Sequence, residues 1–257
     1  MAQWTAFPRP GHFRHDVASV AREWPRLHGG DAEPLPTDDA VLAAWVLFHN
    51  GEFMRAMQAG LAAGGAGMTV ANKATCIYAN YVEKKEKARL ELFQETAQRA
   101  ERQAEAEPEN PNAWYWHAYA LGRYSQAISV AMALAQGLGS KVKHCLERTI
   151  AVQPQHADAH VALGAFHAEV IDKVGSLIGG MTYGVKTETA LQKFQEGLRL
   201  HPRSPIGLIE FANGLVMIDG EKKMGEATRL YQQAAAIEPL DAKEWLDVEL
   251  ARTELHP

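Results

Sequence analysis

The 257-residue sequence has only two cysteines, Cys76 and Cys145. Two are too few for a disulfide framework, so both are expected as buried free thiols in a reducing compartment. Long apolar runs are also missing. The most apolar stretch, Ala127 to Gly139, is 13 residues, against the roughly 20 that a membrane-spanning helix requires. The opening MAQWTAFPRPGHFRHD carries neither an apolar core nor a small-residue cleavage site. A soluble, cytoplasmic protein without a signal peptide is therefore expected. Positive charge is not in excess. A net charge of -5 supplies no global attraction to nucleic acid or to an anionic membrane. The run VEKKEKARLE, Val82 to Glu91, mixes both signs and reads as a solvated helix face.

Reactive constellations are scarce as well. His156 and His160 have the i, i+4 spacing of a two-histidine metal site, but Ala157, Asp158 and Ala159 between them do not make an HExxH signature. Packing histidines are the expectation here. The fragment GLGSK, Gly137 to Lys141, lacks the glycine spacing and the preceding strand of a phosphate loop. Cys145 follows His144 directly, and adjacent helical residues do not face each other. The expectation is a protein without catalytic residues, metal or cofactor.

What the sequence does contain is a repeat. Met68, Pro108, Pro154, Pro202 and Pro239 stand 40, 46, 48 and 37 residues apart. Ahead of Pro202 come Ala190, Phe194 and Gly197; ahead of Pro239 come Ala227, Tyr231 and Ala234. Behind Pro154 come His160, Leu163, Gly164 and His167, and behind Pro202 come Leu208, Phe211, Ala212 and Leu215. Large, small and aromatic residues at these offsets, closed by proline, are the tetratricopeptide pattern of paired helices. The small positions let two helices approach, and the proline stops the second. The fold class is thus all-α, a tetratricopeptide-like helix-pair superhelix with enlarged repeats; an irregular helical bundle is the alternative. Residues 1–36 read as a leader, with a short helix from His15 to Leu27 and a turn-rich linker from His28 to Pro36. Residues 37–257 read as the repeat domain, ending in a capping helix over Asp241 to Leu255 with an acidic exposed face. The surplus length falls into two apolar, glycine-containing insertions, Ser125 to Lys141 and Val170 to Glu188. Both are expected to be helical and packed, since such a composition is costly to expose.

The run NAWYWHAYALGRY followed by SKVKHCLERTIAVQP, then ADAHVALGAFHAEV and ETALQKFQEGLRLHP, resembles the regulator of microtubule dynamics family. It is also similar to the tetratricopeptide component of tripartite periplasmic transporters. The resemblance covers about residues 110–240. The first family includes members reported to bind phospholipid in a repeat cavity, which implies that an apolar ligand is possible here.

In this register the inner face of the array is lined by Trp45, Phe48, Tyr115, Tyr119, Arg123, Val161, Ile209, Asn213 and Met217. Of the inner positions only Asn72, Arg123 and Asn213 suit a carboxylate clamp; the rest are aromatic or aliphatic. The face is either an open apolar groove or core covered by the insertions and leader. The functional expectation is a non-catalytic scaffold that takes a protein or peptide partner through this groove. The alternative is a carrier or sensor of a lipid or other hydrophobic ligand. No nucleic-acid partner and no membrane span are expected.

Overall fold

The computed structural model describes residues 4–255; the outermost ends of the expected leader and repeat domain lie outside the described residues. The described chain is all-helical, without a strand. It divides into two compact units. Of the described residues, the first comprises 4–28, 33–152 and 240–243, the second 29–32, 153–239 and 244–255.

The first unit contains α1 (Val17–Leu27), α2 (Asp39–His49), α3 (Phe53–Ala63), α4 (Gly67–Ile77), α5 (Glu86–Ala106), α6 (Pro111–Gln126), α7 (Val130–Ala135) and α8 (Leu138–Val152). A π-helical turn, Tyr78–Val82, extends α4. The helices pack as successive hairpins, α2 on α3, α4 on α5 and α6 on α8. Their starts follow from capping. Asp38 accepts from the Ala40 amide. Asn110 accepts from the amides of Asn112 and Ala113, with Pro111 at the first helical position, where its missing N–H costs nothing. The break before α4 is made by Gly64 and Gly65, whose φ angles of 66° and 45° suit glycine. Met68, expected to close the first repeat, lies inside the first turn of α4 instead. Most of the leader, residues 4–28 and 33–36, belongs to this unit. Trp24 of α1 packs edge-on against Trp45, with ring centroids 5.8 Å apart, and its indole N–H donates to the Glu33 carbonyl at 2.8 Å. Val20 and Trp24 are buried, whereas Val17 is 49% exposed. The stretch expected as a linker buries His28 and Glu33.

The second unit holds α9 (Ala157–Val174), α10 (Ser176–Tyr183), α11 (Thr187–Leu200), α12 (Pro205–Asp219), α13 (Met224–Ala235) and most of α14 (Ala242–Leu255). Its hairpins are α9 on α11 and α12 on α13. Ser204 caps α12 by accepting from the Gly207 amide, again followed by proline. One core cluster joins Val161, Ala168, Ala190 and Phe194. Another joins Leu208, Ile209 and Ala234 with Ala251 of α14. Its acidic residues are not all exposed, however: Asp241 and Asp247 are buried.

The spacing of small residues does set the helix contacts. A Cβ built on Gly164 would stand 3.0 Å from Phe194 Cγ and 3.1 Å from the Ala190 carbonyl oxygen on α11. Gly164→Leu should overpack this contact and cost about 1–3 kcal/mol. A thermal melt reads this directly, and an unchanged midpoint would show that the two helices do not meet there.

The insertions are helical, as expected. The first is covered by the end of α6, α7 and the start of α8, and the second contains α10. They are not packed away. No residue of α7 is buried, and of α10 only Gly179 is. Val130, Met132 and Leu134 are 45–49% exposed, while Leu177, Ile178 and Met181 reach 75%, 59% and 82%. A helix of six or eight residues at the tip of a hairpin projects beyond its neighbours, which leaves it little to bury against.

Candidate functional site

The residues expected along an inner groove separate into interior and half-open sets. In the first unit, Trp45 and Phe48 of α2 are fully buried and Tyr115 of α6 nearly so. Tyr119 and Arg123, one and two turns further along α6, are half-buried. In the second unit Val161 and Ile209 are buried, while Asn213 and Met217 are half-buried. Val161 and Met217 belong to one cluster of that unit and Ile209 to the other. Asn213 Oδ1 accepts from the Tyr231 hydroxyl at 2.7 Å.

Within the first unit the aromatic residues converge on a lysine. Trp45 and Phe48 meet edge to face at 5.5 Å. The Lys73 ammonium from α4 lies 5.2 Å from the Trp45 centroid, 5.1 Å from Phe48 and 5.9 Å from Trp116. Such cation–π contacts are strengthened by desolvation. The series continues along α6, with Trp116 and Tyr119 at 5.3 Å and the Arg123 guanidinium 5.3 Å from the Tyr119 ring. His49, on the same helix as Trp45, is fully buried and its Nδ1 lies 2.7 Å from Asp241 Oδ2. Burial lowers its pKa, partly offset by Asp241. Its Nε2 and the indole nitrogens of Trp45 and Trp116 are buried without a hydrogen-bond partner among the described residues.

A polar ladder lies between α4 and α5. The Arg99 guanidinium donates through Nε to Asn72 Oδ1 at 2.6 Å and through a terminal nitrogen to Thr75 Oγ1 at 3.0 Å. Asn72 donates to Gln103 Oε1 at 2.9 Å, and Gln103 donates to Thr69 Oγ1 at 3.1 Å. Asn72 was among the clamp candidates; it is wholly interior and committed to this ladder. Neither Lys73 nor Arg99 stood out in the sequence reading. Lys73 did leave a signal, as the one charged residue between Gly67 and Val82. Arg99 left none, because α5 is rich in charge along its whole length.

The reactive side chains are held in unreactive states. The fold brings Cys145 Sγ within 3.9 Å of His117 Nδ1 across the α6–α8 hairpin. Burial pushes the Cys145 thiol up to about 12 and lowers the His117 pKa. This is the reverse of what a thiolate nucleophile requires. Burial also raises the Cys76 thiol. The three clustered histidines serve the backbone. His156 Nδ1 caps α9 by accepting from the Ala159 amide at 3.1 Å, His160 Nε2 is 3.0 Å from the Pro154 carbonyl, and His167 Nδ1 accepts from the Lys186 amide at 3.0 Å. Among the described residues no group of three or more His, Cys, Asp or Glu forms a metal site, and no helix is long and apolar enough to cross a membrane.

Tandem helix hairpins and exposed apolar connecting helices define an all-α helical-repeat protein. The family profile described as regulator of microtubule dynamics protein 1-3 matches residues 68–252, more than two thirds of the chain. The chain belongs to that family. No curated protein matches it.

Proposed function

We propose that this protein is a non-catalytic interaction scaffold built on tetratricopeptide-like hairpins, and that α10 is its partner-facing element. The observation that carries this reading is the exposure of Leu177, Ile178 and Met181 on one short helix. Folding gains nothing from apolar side chains left in water, so their cost points to a contact made with another molecule. The charges around the tip are mixed, with Asp172, Lys173, Lys186 and Glu188 all exposed. A charge-balanced apolar helix suits an apolar groove on a protein, where helical anchors supply the contact area. The family's name refers to regulation of microtubules, and a cytoplasmic protein of that system is the kind of partner this reading implies. Of the residues expected along the inner face, Tyr119 and Arg123 in the first unit and Asn213 and Met217 in the second are half-buried.

Leu177→Ser/Met181→Ser should lower partner recovery at least tenfold. The melting temperature should stay put, since exposed substitutions usually change stability by no more than about 0.5 kcal/mol. Affinity capture from the native host, quantified by mass spectrometry, reads the first effect. Recovery of the same stoichiometric protein by both forms would defeat the proposal.

A second reading, a carrier of an apolar ligand with a polar head, draws on the buried Trp45, Trp116 and His49 nitrogens near Lys73. Buried donors without partners are rare in native proteins. Native mass spectrometry of the purified chain would show a co-purified small molecule if this reading holds, and the bare mass if it does not.

A further inference from the structure

The α7 tip of the first unit differs from α10 in its electrostatic surroundings. Its six residues, Val130 to Ala135, are all apolar and none is buried. Val130, Met132 and Leu134 are about half exposed; Val130 and Leu134 share one face at i, i+4 spacing and Met132 projects from the opposite side, with alanines between them. A protein groove accepts one face of a helix. An apolar projection without a polar side suits a fluid apolar medium.

The topology surrounds this projection with positive charge. Helix α6 has 16 residues and α5 has 21, so they run about 24 Å and about 31 Å from their shared loop. Since α5 and α8 both pack on α6 as hairpin partners, the start of α5, the end of α6 and the start of α8 lie at the end of these hairpins from which α7 projects. Residues 83–91 and 111–147 together carry seven Lys or Arg and four Glu. That local excess stands out in a chain whose net charge is -5. Lys84, Lys85, Lys87 and Lys141 are exposed. Of the acids, Glu83 accepts from the Lys85 amide and the Tyr78 hydroxyl, which lowers its pKa and keeps it ionised, and Glu86 is exposed. Lys87 also faces Glu91 at 3.9 Å, and Lys143 is paired with Glu147 at 2.6 Å.

We propose that the α7 tip docks on an anionic lipid surface, with Val130, Met132 and Leu134 entering the acyl boundary and the lysines at the start of α5 and α8 meeting lipid phosphates. Apolar insertion supplies part of the affinity and each lysine near the surface adds to it, so the two together give reversible attachment. This goes beyond the protein-partner reading of α10 and uses a separate element.

The full chain would be floated with vesicles of phosphatidylcholine alone and of phosphatidylcholine with 30% phosphatidylserine. Binding is expected only to the anionic vesicles, and it should fall steeply when salt is raised. Met132→Glu/Leu134→Glu should abolish it, with circular dichroism melts confirming that the fold is kept. Lys84→Ser/Lys85→Ser leaves α7 intact and should weaken partition roughly fivefold per lysine. Leu177→Ser/Met181→Ser should bind vesicles as the unaltered chain does; a loss confined to that variant would place the lipid contact on α10 and overturn the proposal. So would absence of binding to anionic vesicles at low salt, or binding that survives Met132→Glu/Leu134→Glu. Binding of a polyglutamate peptide in place of vesicles would assign the tip to an acidic protein partner and also overturn it.

Discussion

Arg99→Leu is expected to destabilise the first unit by about 1–3 kcal/mol, a large fraction of a domain's total stability. The cost has two sources. Asn72 Oδ1 loses the donor that sits 2.6 Å away, deep between α4 and α5, and a buried acceptor left without a partner carries its full desolvation penalty. Thr75 and Thr96 also lose guanidinium contacts, and leucine does not refill the space. Arg99→Lys should fall between, because an ammonium keeps the charge but not the planar fork. Arg102, three residues on and exposed, is the control, and Arg102→Ala should change stability by no more than about 0.5 kcal/mol. Urea unfolding of the three variants decides the case. Equal midpoints for Arg99→Leu and Arg102→Ala would mean that the ladder contributes nothing.

That contrast marks how far the sequence can be read. Periodicity and proline spacing located the hairpins because helix packing is written in residue size: Gly164 meets Phe194, and Ala190 and Phe194 join one core. Capping residues are a second local signal, at Asp38, Asn110 and Ser204, where Asp, Asn or Ser precedes the helix. Which arginine faces inward was not. Arg99 and Arg102 have the same local chemistry, and only the angular position of α5 against α4 selects one of them. The candidate groove was legible only as a set of apolar positions: Trp45, Phe48 and Tyr115 are buried in the first unit and Ile209 is buried in the second. Its openness was not, since that depends on what covers it. In the first unit α1 does part of the covering, through Trp24 on Trp45. The exposure of the insertions ran against composition. Apolar sequence states what a segment would gain by burial and says nothing of whether a neighbour is within reach.

Acid should destabilise the protein well before its carboxylates titrate. His49, His117 and His160 all have pKa values lowered by burial, so the native state holds them neutral at a pH where the unfolded chain protonates them. The unfolded state then binds more protons, and stability falls as pH drops below the ordinary histidine value of about 6.5. Each fully neutral histidine contributes at most about 1.4 kcal/mol per pH unit. His49 and His117 together give a slope approaching about 3 kcal/mol per unit, with His160 adding in the same direction. The loss continues until the folded values are reached; above pH 7 these groups contribute no further change. Asp16, Glu83 and Glu196, whose pKa values are lowered by hydrogen bonds, act through the carboxylate range near pH 4 and leave this window untouched. Urea midpoints at pH 7.5, 6.5 and 5.5 should therefore decline, most steeply over the last interval. His117→Gln should flatten the decline, because it removes one of the two steepest contributions and leaves the His49–Asp241 pair in place. Midpoints that hold constant from pH 7.5 to 5.5 would show that these histidines protonate without cost in the folded state, and that their surroundings admit water.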